Sequence, residues 1–152
     1  MQTSATDRIE KTAVLRAPRS RVWRALSDVR EFSAWFLTSF EGEFAEGATV
    51  RGRPTNPGYE HLTIELRIER MEPERRFSFR WHPYEVDPSK DSSSEPTTLV
   101  EFTLEEAPGG TQLKLVESGF ETVPEARRAE AFRMHEQGWT QQMINVREYV
   151  ER

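Results

Sequence analysis

Two polar side chains stand where the hydrophobic pattern of this 152-residue chain points inward. In "QLKLVESGF", Glu117 continues the face that carries Leu113 and Leu115, because alternate residues of a strand share one side. In "FRMHEQGWTQQMINVREYV", His135 falls on a stripe with Phe132, Trp139, Met143, Val146 and Val150, spaced by three and four residues as on one helix face. A carboxylate and an imidazole facing one apolar interior make a pair suited to general acid/base chemistry. The same positions also suit a histidine that only satisfies its own hydrogen bonds in the core.

Other chemistry-bearing residues are sparse. His61, His82 and His135 are far apart and share no ligand spacing, so no metal is expected. With no cysteine, disulfides, thiol nucleophiles and thiolate metal sites are excluded together. "RGRP", residues 51–54, looks like the core of a minor-groove hook, but it closes a strand in a chain of net charge −5, so no nucleic acid partner is expected. No phosphate loop, nucleophile elbow or dinucleotide glycine pattern occurs, and no cofactor is expected. The acidic balance gives no pull toward anionic membranes, and no apolar run reaches spanning length. "MQTSATDRIEKTAV" lacks the apolar stretch of a secretory signal, so a reducing, cytoplasmic setting is expected.

Positioning Glu117 and His135 takes a sheet and a helix. Residues 1–7 read as a tail and 8–152 as one domain. "RIEKTAVLRA" alternates as a first strand. "APRSRVWRALSD" follows as a helix with Pro18 at its first position, and Asp28 with Glu31 reads as a capping box for a second short helix bearing Phe32, Trp35 and Phe36. Strands are expected in "FLTSFEGEFA", "ATVRGR", "HLTIELRIER" and "RRFSFRW", and a closing hairpin in "TLVEFTLEEAPGGTQLKLVESGF". Residues 85–97, polar and rich in serine and proline, read as a mobile loop.

The last helix is expected to start at Thr122 and to run some 29 residues, roughly 43 Å. A domain of this size has a radius of gyration near 15 Å, so such a helix must lie along the sheet. The expected fold is α+β: a curved antiparallel sheet of about seven strands, with two short helices after the first strand, gripping a long C-terminal helix. Gly138, which costs an exposed helix about 1 kcal/mol relative to alanine, is expected to face the sheet and let the helix backbone approach it.

In order and spacing these segments resemble the SRPBCC or START-like (helix-grip) superfamily, and within it the branch named for the activator of the heat-shock chaperone ATPase. The resemblance spans residues 8–151. It rests on Ala17-Pro18, Val22-Trp23, Leu26 and Trp35-Phe36 in the opening segment and on Pro73 and Trp81 in "RIERMEPERRFSFRW". "GGTQLKLVESGF" and Gly138-Trp139 complete it. Met143 and Val146 stand where leucines are commoner in the branch, and the 85–97 loop departs from it. The resemblance implies a deep apolar cavity between sheet and helix. In the eukaryotic co-chaperone this domain type is the C-terminal part, and the separate N-terminal domain that stimulates the chaperone is not expected in this chain.

Three functions follow as expectations. The first is a non-enzymatic domain enclosing a small apolar or aromatic ligand, walled by Trp35, Phe36, Phe40, Phe79, Trp81, Phe102, Phe132, His135, Trp139 and Met143. The second is a protein-interaction module for a chaperone or its clients. The third is a cyclase- or hydratase-like enzyme with His135 and Glu117 as its acid/base groups. A monomer and a homodimer are both compatible with the sequence.

Overall fold

In the computed structural model, which describes residues 8–84 and 95–152, the alternating segments pair into one antiparallel sheet. Its strands are β1 (Arg8–Leu15), β2 (Thr38–Phe40), β3 (Thr49–Pro54), β4 (Ile64–Glu72), β5 (Arg76–Trp81), β6 (Thr98–Ala107) and β7 (Gly110–Ser118). They lie in the order β1-β7-β6-β5-β4-β3-β2, so only the first strand leaves sequence order, to pair with the last. Helices α1 (Arg19–Ser27) and α2 (Val29–Phe36) connect β1 to β2, and α3 (Glu125–Val150) closes the chain. Residues 1–7 and most of the 85–97 segment, 85–94, lie outside the described residues. No described helix is long and apolar enough to cross a membrane.

Local chemistry explains where elements begin and end, including three departures from expectation. The Asp28 carboxylate caps α2 by accepting from the amides of Arg30 and Glu31 at 2.9 and 3.2 Å. The return half of the capping box does not form, because the Asp28 amide already donates to the Arg24 carbonyl. Glu31 instead accepts from Arg21 at 2.6 Å, Arg24 at 2.8 Å and the Tyr149 hydroxyl at 3.1 Å, joining α1, α2 and the end of α3. The strand expected from Phe36 shrinks to three residues, since α2 extends through Phe36 and Leu37 turns left-handed at φ 58°. The last helix starts later than Thr122, at Glu125. Phe120–Thr122 form a 3-10 turn, and the Thr122 hydroxyl bonds the Gly119 carbonyl at 2.7 Å. Its 26 residues give about 39 Å, still enough to cross the sheet.

The core lies between the inner sheet face and the helices. Ala131, Trp139, Met143, Val146 and Val150 are the buried residues of α3, and α2 contributes Phe32, Trp35 and Phe36. Phe32 sits centrally, with ring centroids 4.8 Å from both Trp35 and Phe36 and 5.4 Å from Phe44. Gly52 in β3 permits a close approach from β2: a Cβ there would lie 2.6 Å from the Phe40 ring and 2.7 Å from the Ser39 carbonyl oxygen. "RGRP" is thus part of β3, with exposed Arg51 paired to Glu65 at 2.8 Å.

Gly138 corrects the sequence expectation. It is exposed, and a Cβ there would meet nothing within 4 Å, so it does not bring the helix backbone onto the sheet. Contact is made by Trp139, which is 2% exposed.

Gly52→Ala is expected to destabilise the protein by about 1–3 kcal/mol through overpacking against Phe40. Urea unfolding measures this directly, and an unchanged midpoint would show that the Phe40 ring yields without cost.

Candidate functional site

Strand parity carries Glu117 to the inner face of β7, where it has no exposed surface. Taking an ionised carboxylate out of water costs several kcal/mol unless its lone pairs are filled. Donors from three elements fill them. The Trp139 indole of α3 donates to Oε1 at 2.7 Å, and the Trp81 indole of β5 donates to Oε2 at 2.9 Å. The Thr98 hydroxyl of β6 donates to Oε2 at 2.5 Å. His135 of α3 approaches both oxygens through Nδ1, at 2.7 and 2.9 Å. Burial pushes the Glu117 carboxyl pKa up, but the hydrogen bond and charge of His135, with the bonds from Thr98 and Trp81, outweigh it and hold the value below the usual carboxylate range.

Glu117 also fixes the tautomer of its neighbour. An ionised carboxylate only accepts, so Nδ1 of His135 carries the shared proton, and whenever the ring is neutral Nε2 holds the free lone pair. The ring is wedged edge-on between Trp81 and Phe120, with centroids 5.3 and 5.8 Å away. Nε2 has no hydrogen-bond partner among the described residues. The His135 side chain is 17% exposed and borders open space.

That space is a cleft of about 260 Å³ between α3, the turn from α2 into β2, and the segment from Pro54 to Ile64. Its floor is a triangle of rings. Trp81 and Trp139 are 5.7 Å apart, and Phe36 is 5.9 Å from each. Leu37, Tyr59 and Met134 stand exposed at its rim, and Gly138 leaves a gap in the helical wall where any other residue would project. Thr38, 2% exposed, lines the cleft with a hydroxyl that has no partner among the described residues. Gln142 is already engaged, donating to the Phe36 carbonyl at 2.9 Å and accepting from Asn145 at 3.0 Å.

Of the residues expected to wall a cavity, Phe36, Trp81, His135 and Trp139 line this cleft. Trp35, Phe40, Phe79, Phe102 and Met143 do not. They are buried core residues, and Trp35 also donates to the Ala25 carbonyl at 2.8 Å. Phe132 packs on Phe120 at 5.3 Å, away from the cleft. The reason is steric: these rings lie against one another and occupy the space between sheet and helices themselves. Thr38, Tyr59 and Gln142 were not foreseen as lining residues. Leu62 and Ile64 carried a signal, an apolar pair next to the Pro- and Gly-rich loop. Among the described residues no group of three or more His, Cys, Asp and Glu lies close enough to hold a metal ion.

Comparison with known proteins places this geometry. A family model described as activator of Hsp90 ATPase homolog 1-like protein matches residues 16–151. A protein from Mesorhizobium loti superposes with a TM-score of 0.75 at 21% identity, over 95% of this chain and 96% of that one. One from Arthrobacter aurescens gives 0.78 at 16% identity, over 99% and 89%. The Aha1 dimer from Colwellia psychrerythraea gives 0.70 at 15% identity, over 95% and 96%. At these identities the likeness is one of fold, the helix-grip arrangement of the SRPBCC group. Among curated proteins no sequence relative matches.

Replacing Glu117 tests the buried carboxylate. Glu117→Gln presents an amide group to donors and is expected to cost about 3–5 kcal/mol at neutral pH. Because the folded-state pKa is lowered, the carboxylate's contribution is fully present above the unfolded value near 4.5 and is lost as pH falls through the folded one. The stability gap between wild type and Glu117→Gln therefore narrows on acidification below that range. A gap that stays constant in urea titrations from neutral to strongly acidic pH would show that folding does not lower the Glu117 pKa, and a gap that widens on acidification would show that Glu117 is not ionised in the folded protein.

Proposed function

The chain belongs to the activator of Hsp90 ATPase homolog 1-like family, and on that premise we propose that it binds a small molecule with a flat apolar or aromatic body in the cleft beside His135. The observation that carries this reading is a cleft floored by Phe36, Trp81 and Trp139 and open through the gap at Gly138. An empty apolar cavity of roughly 150 Å³ is enough for benzene. A volume of about 260 Å³ therefore suits one ring with short substituents. Burying roughly 150–250 Å² of ring surface at about 25 cal/mol per Å² contributes about 4–6 kcal/mol before ordering costs. Ordering costs are subtracted from that figure, so the expected affinity is about millimolar or weaker unless polar contacts add to it.

A second reading has its own observation. Leu37, Tyr59 and Met134 form an exposed apolar rim, which suits a protein partner or a second copy of the chain. The Colwellia relative is described as a dimer, and a chaperone or client partner is the expectation attached to the family name. In the enzyme reading, Glu117 is no base toward a substrate, because its oxygens are already bonded. Acid/base work falls to Nε2 of His135 alone.

Nitrobenzene is a suitable ring probe. It is expected to shift the indole N–H resonances of Trp81 and Trp139 while leaving Trp23 and Trp35 unmoved. Gly138→Ala should stabilise the helix by up to about 1 kcal/mol, and Gly138→Leu should fill the gap and abolish the shifts. Absent shifts in wild type, or equal shifts in Gly138→Leu, would show that the ring site is elsewhere.

A further inference from the structure

We infer that the ligand of this cleft carries a weakly acidic hydroxyl on its ring, a phenol or an enol, and that Nε2 of His135 accepts the proton of that hydroxyl. The inference rests on the cleft being a ring-binding site and adds the chemistry that selects the ligand. It follows from the polar groups the cleft offers. Among the described residues its lining includes no lysine, arginine, aspartate or glutamate. A permanently anionic ligand would find no counter-charge among those residues unless His135 took a proton from solvent, and the ionised Glu117 carboxylate stands directly behind the imidazole. A fully apolar ligand would cover Nε2 and the Thr38 hydroxyl without replacing the water they lose.

A neutral ring bearing O–H meets both requirements. It enters uncharged, fits the aromatic floor and donates to Nε2. Proton transfer then breaks the ligand O–H bond and forms Nε2–H, the electron pair staying on the ligand oxygen. The resulting imidazolium lies against Glu117, which turns an isolated buried charge into an ion pair. Thr38 supplies a further hydroxyl donor on the cleft wall.

Among the described residues, Glu117 is the one charged group hydrogen-bonded to the ring. The elements packed against it present neutral groups: Trp81 from β5, Phe120 from the 3-10 turn and Thr98 from β6 beyond the carboxylate. The adjacent Glu136 of α3 is paired with Lys11 of β1. In this arrangement Glu117 is a positioning residue, and His135 is the group that touches the ligand.

The test uses para-nitrophenol, whose phenolate absorbs visible light where the phenol does not, beside nitrobenzene, the same ring without the hydroxyl. In buffer below the pH of half-ionisation of the free compound, wild-type protein is expected to raise the phenolate fraction several-fold. The His135 Nε2 resonance should move to its protonated position in the same titration. His135→Gln retains a side-chain N–H for Glu117 but offers no base, so the protein-induced gain in phenolate should be lost, whereas nitrobenzene should shift the Trp81 and Trp139 indoles of wild type without protonating Nε2. Nitrobenzene binding without a gain in phenolate in wild type overturns the inference and leaves the ring site standing. An equal gain in phenolate with His135→Gln overturns it as well. If neither compound binds wild type, the ring site and the inference fall together.

Discussion

A carboxylate with no contact with water stands at the junction of sheet and C-terminal helix, and keeping it bonded constrains everything nearby. Glu117 cannot stay ionised there without donors, and it obtains them from β5, β6 and α3. His135 and Trp139 are four residues apart and so share one face of the helix. Both reaching the same carboxylate fixes the rotation of α3 and its position along the sheet at once. An apolar stripe alone would tolerate small slides of a helix on a sheet, whereas paired hydrogen bonds to one buried group do not.

The cleft is a consequence of that docking. With Trp139 held down by Glu117, its indole and that of Trp81 pack against Phe36 and form a floor, and the segment from Pro54 to Ile64 forms the facing wall. Gly138, one turn beyond His135, then faces neither sheet nor neighbour. The helix tolerates an unfavourable residue where a side chain would close the opening. Cleft and helix register thus share a single origin, since one carboxylate seats the helix, completes the aromatic floor and orients the imidazole that borders the cleft.

Much of this was legible in the residue order. Period-two alternation placed Glu117 inward, and the three- and four-residue spacing placed His135 and Trp139 inward from the opposite side. What the pattern did not show is that the two tryptophans act as hydrogen-bond donors, because an indole on an apolar stripe looks the same whether its N–H is used or not. Rings that fill a core and rings that line a cavity also have the same spacing, which is why Trp35, Phe79 and Phe102 were expected at a ligand and are found against one another. Gly138 was misplaced because a residue without a side chain leaves no polarity by which to judge its face. At Asp28 the local motif predicted a reciprocal cap, but α1 delivers Arg21 and Arg24 to Glu31, and charge pairing takes the carboxylate. The facing wall depends on where a loop crosses the helix, which no local pattern specifies.

The tautomer of His135 is the most direct test of this arrangement. Nitrogen NMR of the neutral ring in wild-type protein should show the proton on Nδ1 and a bare Nε2, since only that form donates to Glu117. A neutral ring protonated on Nε2 would contradict it. Glu117 would then lack its histidine donor, and the cleft would face a different hydrogen-bonding group.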